Sequence, residues 1–233
     1  MGTNSVLHKE VMLAPLQSLA KKSLYFLANQ ILGYKDVNMH THREIIECLE
    51  SNVKRKMIVV PRGCLKSSLA CVAYPIWILI NNPNARILID SELYTNSKTF
   101  LREIKQHLKS SIMTTMFGRF DGTTWNDSEI IINQRTKTLK EASITVGGIG
   151  TTKVGQHYDY VVFDDLNSPK NSDTPEKSRK VIDHYQYNIS ILEPTGTVVL
   201  IGTRYSELDC IGHVLSNELG IKNDPKSGIY KGV

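Results

Sequence analysis

Apolar residues recur at helical spacing from about Leu7 to Leu32, with Leu13, Leu16, Leu19, Leu24, Leu27 and Ile31 in the series. The spacing predicts one or two amphipathic helices ending near Gly33, and a further helix over Thr41 to Ser51. The period then changes. Met57-Ile58-Val59-Val60 is an unbroken apolar run between Lys56 and Pro61, the pattern of a buried parallel strand covered on both faces. Similar runs follow at Arg86 to Asp90, Tyr160 to Asp164 and Thr197 to Ile201. Helices predicted at Ser67 to Ile80 and Tyr94 to Ser110 lie between the earlier runs, and a hairpin is predicted from Glu129 to Asn133 and Leu139 to Val146. Strands alternating with helices specify an α/β fold. Its mostly parallel central sheet lies between two helical layers, with an N-terminal helical extension.

Composition narrows the class. At 233 residues and 41% hydrophobic content, the chain has enough apolar surface for one full core. The longest apolar run, Leu69 to Ile80, contains Tyr74 and Pro75 and is shorter than the ~20 residues a bilayer span needs, so no membrane role is expected. Met1 to Lys9 leads into no apolar segment of a secretory signal. Cys48, Cys64, Cys71 and Cys210 form no CxxC pair and no metal-ligand spacing, which fits free thiols in a reducing cytoplasm. The formal charge of +5 is compatible with a polyanionic partner. Even so, the basic clusters at Lys21-Lys22, Lys54-Arg55-Lys56 and Lys177 to Lys180 read first as solvated faces.

Ligands of open parallel sheets bind beyond the carboxyl ends of the strands, so the residues after each strand carry the chemistry. After the first run comes Pro61-Arg62-Gly63-Cys64-Leu65-Lys66-Ser67-Ser68. A phosphate chain needs inward backbone N–H groups, a helix start, a lysine for the terminal phosphates and a hydroxyl for Mg²⁺. Lys66 and Ser67 stand where such a loop puts the last two. The strict pattern is not met, because Val60 and Leu65 occupy its two glycine positions, and a plain turn with a helix-start serine is the competing reading. After the third run, Asp164-Asp165 forms a Walker B pattern, with Asp164 for the metal and Asp165 for water activation. The competing reading is a loop whose Asp165 or Asn167 caps a helix. Gly202-Thr203-Arg204 follows the fourth run, where Thr203 is either a sensor of phosphate or water, or an unrelated residue after a glycine turn.

Taken together these residues resemble the ATPase half of bacteriophage large terminases, the DNA-packaging motors. Pro61 to Ser67 is similar to that family's deviant Walker A motif, an arginine followed four residues later by Lys-[Ser/Thr]. Gly155-Gln156-His157-Tyr158-Asp159 resembles its G-x-H-x-D lead into Walker B, and Ile201-Gly202-Thr203-Arg204-Tyr205 its coupling motif. The resemblance runs from about His42 to Leu215. It implies a P-loop NTPase of the ASCE/RecA-like type using ATP and Mg²⁺. Pro61 to Ser68 would hold the phosphates, Ser67 and Asp164 the metal, and Asp165 would be the base. Arg62 would stabilise γ-phosphate charge or switch on ATP binding, and Thr203 would couple hydrolysis to movement. His42 stands where the family often has an adenine-contacting glutamine.

The implied partners are double-stranded DNA, a small terminase subunit and further copies in a ring, a pentamer by resemblance, on the portal of a procapsid in the host cytoplasm. Three departures matter. Asp165 is shorter than the glutamate often found there. Lys153 stands where related motors place a trans-acting arginine finger, with Arg135 on the hairpin as an alternative. No clustered acids of a C-terminal nuclease follow. The expected organisation is a helical extension over residues 1–35, the ATPase over 36–220 and the start of a linker over 221–233: an isolated motor domain.

Overall fold

The computed structural model describes residues 3–151, 153, 155–221 and 228–232. Helix α1 (Thr3–Lys22) and the short α2 (Leu24–Phe26) run into a π-helical turn at Leu27–Ile31, and α3 (Arg43–Glu50) follows. Strand β1 (Arg55–Val59) leads through the Lys66-Ser67 loop into a π-helical turn, Ser68–Ala73, that continues as α4 (Tyr74–Asn81). The widened turn has a local cause. Pro75 lacks an N–H, and its ring needs room at the carbonyl four residues back, so the helix opens just before it.

Strand β2 (Ile87–Ser91), α5 (Tyr94–Leu108) and α6 (Ser111–Phe117) come next. They precede β3 (Asp121–Trp125), β4 (Glu129–Ile132), β5 (Ile144–Gly148) and β6 (Tyr158–Asp164). The chain continues through α7 (Pro175–Ser190), β7 (Leu192–Gly202), α8 (Cys210–His213) with a π-helical turn at Val214–Glu218, and β8 (Gly228–Gly232).

The sheet order is β3-β4-β5-β2-β6-β7-β1-β8. Strands β5, β2, β6, β7 and β1 are mutually parallel, while β3, β4 and β8 extend the two edges antiparallel. Alternation along the parallel strands divides the core in two. Ile58, Ile87, Ile89, Val162, Val199 and Ile201 face a layer built with α3, α4 and α5. Met57, Val59, Leu88, Val161, Phe163, Val198 and Leu200 face α7 and α8. Burial on both faces explains why these strands read as continuous apolar runs.

Several local expectations change. The predicted second hairpin strand begins only at Ile144, and it is a core strand, parallel to β2 as well as antiparallel to β4. Residues 139–143 are held as loop because the preceding turn is tied across to Asn84, whose Oδ1 accepts from the Thr136 and Lys137 amides. Gly228–Gly232, expected as the start of a linker, instead pairs antiparallel with β1 as an edge strand. Residues 222–227 of that expected linker lie outside the described residues. Strand β3 and helix α6 had no clear sequence pattern.

Candidate functional site

The carboxyl ends of the parallel strands align. Gly148 pairs with Ser91, Ser91 with Asp164, Asp164 with Ile201, and Gly202 with Val59. The tails of β5, β2, β6, β7 and β1 therefore emerge along one edge, and α4's leading π-helical turn starts there.

The loop after β1 makes its turn in the left-handed region at Gly63 (φ 84°) and again at Leu65 (φ 47°). Leu65 occupies a glycine position of the strict phosphate-loop pattern, so the conformation persists although the glycine is gone. Holding a branched side chain there costs on the order of 1–3 kcal/mol, and such strain collects at functional sites. The loop delivers Lys66, which is 6% exposed, and Ser67. Ser67 Oγ donates to Asp164 Oδ1 at 2.7 Å, and Lys66 Nζ lies 3.7 Å from Asp165 Oδ2. The loop at 63 and the acid pair at 164 thus meet at one point.

Burial pushes the Asp164 carboxyl up to about 6, and the Asp165 charge pushes the same way; the Ser67 hydrogen bond and the Lys66 charge act against them. Asp165 also has a left-handed backbone (φ 42°), which turns its side chain toward the end of β7. There its Oδ1 accepts from the Thr203 amide at 3.0 Å. Gly202 allows this approach, since a Cβ at 202 would stand 3.1 Å from Ile211 Cδ1 and 3.4 Å from Asp165 Oδ1. Thr203 Oγ1 is buried without a partner among the described residues, a donor left over at the site. Asp209 fixes the loop after β7, its carboxylate accepting from the amides of Tyr205, Ser206 and Gly212. Tyr205 in turn accepts from Arg62 Nη2 at 2.7 Å, so Arg62 joins the first tail to the last.

Pro61, Cys64 and Ser68 lie on the same loop, Pro61 exposed and the other two half-buried. The fit to a magnesium–triphosphate group is good in kind: one lysine, one hydroxyl and one carboxylate converge, and a buried hydroxyl lacks a partner. Among the described residues no three His, Cys, Asp or Glu side chains cluster as a self-contained metal site. A metal carried by phosphates needs no such cluster.

Other candidates lie elsewhere. His42 is 5% exposed at the start of α3, its Nδ1 3.2 Å from both the amide and the carbonyl of Asn38. The adjacent open concavity is lined by Met39, His40, Thr41, Arg43 and Glu44, so His42 is turned inward from it. Lys153 follows β5 on the site edge and is half-buried; burial lowers its ammonium below the ordinary lysine range, against the Asp90 and Glu129 charges. Arg135 bonds the carbonyls of Glu141 and Ala85, at the opposite end of the sheet where β2 begins. That position removes Arg135 from the site edge. Sequence reasoning weighed the tails of β1, β6 and β7 but passed over that of β2, Ser91-Glu92. Ser91 is 1% exposed, its hydroxyl is unpartnered among the described residues, and it pairs in register with Asp164. The strand-tail rule itself was the signal that pointed there.

No protein-family model and no curated protein matches the chain. Solved structures do. The HK97 bacteriophage large terminase aligns with a TM-score of 0.59 at 9% identity, over 87% of this chain and 42% of that one. A mutant large terminase ATPase domain from a Thermus phage gives 0.50 at 14% identity, over 76% and 69%. A variant of Saccharomyces cerevisiae Dbp5, bound to Nup159, Gle1 and ADP, gives 0.51 at 12% identity, over 88% and 50%. The chain thus spans less than half of the HK97 protein. At these identities the likeness is one of fold: the chain has the α/β P-loop NTPase fold of large-terminase ATPase domains and Dbp5.

Proposed function

We propose that the chain hydrolyses ATP to move double-stranded DNA, as the motor domain of a large-terminase-type packaging ATPase. The observation that carries this is the convergence of Lys66 and Ser67 on Asp165 and Asp164 at the carboxyl edge of a parallel sheet. The terminase likeness supports the packaging role, and the proposal extends to a ring of copies at a procapsid portal, a small subunit and the host cytoplasm.

In this reading Lys66 and the amides of Pro61 to Ser68 bind the β- and γ-phosphates, and Ser67 with Asp164 holds Mg²⁺. The ion supplies charge neutralisation on the phosphate oxygens. Asp165, fixed by the Thr203 amide, orients a water for in-line attack and takes its proton. The new bond joins the water oxygen to the γ-phosphorus as the bond to the β–γ bridging oxygen breaks, giving ADP and phosphate. Thr203 senses this change, and Arg62 leaves Tyr205 for the γ-phosphate.

The test is ATP turnover with and without double-stranded DNA. Lys66→Ala is expected to lose nucleotide affinity and turnover while remaining folded. Asp165→Asn is expected to keep nucleotide binding while turnover falls by orders of magnitude. Unchanged hydrolysis in Lys66→Ala would remove this loop from the site. Stimulation by RNA or single strands but not by duplex DNA would favour a helicase-like ATPase, the reading that the Dbp5 likeness supports.

A further inference from the structure

Strand β2 ends beside the candidate metal carboxylate. Ser91 is the parallel-register partner of Asp164. The two residues point to the same face: Ile89 and Val162, two positions earlier, both belong to the layer with the helix that starts after Ser67. Asp90 points the other way, where its Oδ1 meets His184 Nε2 of α7 at 2.8 Å. Neighbouring strands lie about 4.8 Å apart, so same-face side chains at paired positions are within reach of each other directly or through one water. The two tails are also tied, because Glu92 Oε1 accepts from Ser168 Oγ at 2.6 Å and from Asn171 Nδ2 at 3.1 Å.

Ser91 Oγ is buried and has no partner among the described residues, although unsatisfied buried hydroxyls are uncommon because each forfeits its hydrogen bonds to water. Asp164 Oδ1, meanwhile, takes the Ser67 hydroxyl. A hydroxyl that binds a metal through its oxygen keeps its proton and can go on donating to Oδ1, and the same carboxylate, only 6% exposed, has lone pairs to spare for a second donor.

We propose that Ser91 is a further positioning residue of the magnesium–nucleotide site, its hydroxyl donating to Asp164 or to a metal-bound water, beside Ser67, once Mg²⁺ and nucleotide are in place. The inference rests on the ATPase reading above. Its physical signature is a trade: the hydroxyl is idle in the nucleotide-free protein and engaged in the loaded one.

The experiment follows binding of a fluorescent, non-hydrolysable ATP analogue as Mg²⁺ is titrated, alongside thermal unfolding without nucleotide. Ser91→Ala is expected to need about tenfold more Mg²⁺ for half-maximal binding, the scale of one hydrogen bond to a charged group. Without nucleotide it should unfold at the same temperature as the wild type or higher, since an unpaired buried polar atom has been removed. Ser91→Thr, which keeps the hydroxyl, should restore the wild-type titration. An unchanged Mg²⁺ titration in Ser91→Ala overturns the inference and leaves the ATPase reading standing. A fall in binding matched by a fall in nucleotide-free stability also overturns it, because a packing residue behaves that way. Absence of Mg²⁺-dependent binding in the wild type defeats both.

Discussion

Asp164 illustrates what burial costs a single carboxylate. Its carboxyl is raised to about 6 because the surroundings disfavour its charge. The unfolded chain titrates near 3.9. The folded state therefore gains stability from the protonated form, fully present below the unfolded value and lost as pH rises through about 6. In the nucleotide-free protein at pH 8, Asp164→Asn is expected to be more stable than the wild type, by on the order of 3 kcal/mol at most. The difference should shrink toward pH 4. Paired melting curves at the two pH values check it, and coincident curves at pH 8 would show that the buried charge carries no penalty. Leu65 stores cost differently, in a left-handed backbone that a glycine would adopt freely.

At the scale of elements, the loop between β7 and α8 shows how a buried cap serves a site. Asp209 is fully buried, caps α8 through the Gly212 amide, and holds the Tyr205 and Ser206 amides. The same loop presents Thr203 to Asp165 and Tyr205 to Arg62. Asp209→Ala leaves three amides without their acceptor and is expected to cost about 2–3 kcal/mol in urea unfolding. On the proposed function turnover should fall further than nucleotide affinity, because Lys66 and Ser67 are set by β1 and the acid pair and, among the described residues, make no contact through Asp209. Equal losses of the two would mean that the β7 tail only supports binding.

At the scale of the whole molecule, the sheet separates a site edge from an anchored edge. Arg86 at the start of β2 is ringed by Asp159, Glu193 and Glu141, and Arg135 is bonded close by. Lys153 is on the site edge. A cation that acts on a neighbour's nucleotide would complement in mixtures: Lys66→Ala and Lys153→Ala, each inactive alone, should recover partial turnover when combined, as the sound site of one meets the sound lysine of the other. Full activity of Lys153→Ala alone, or no recovery on mixing, would exclude Lys153 from that role.

The sequence by itself determined the parallel core and the residues of three strand tails. Unbroken apolar runs have few other ways to be buried, and the chemistry of a Lys-Ser pair and an Asp pair survives without neighbours. What it did not carry is long-range. The strand-tail rule points to Ser91 as a position, but that its hydroxyl is orphaned among the described residues, beside Asp164, becomes visible only once β2 is laid beside β6. The same holds for the placement of Arg135 at the far end of the sheet, the inward turn of His42, and the pairing of Gly228–Gly232 with β1. Tertiary structure decided these because register and strand order set which side chains share a face, and neither is written in the local period of the chain.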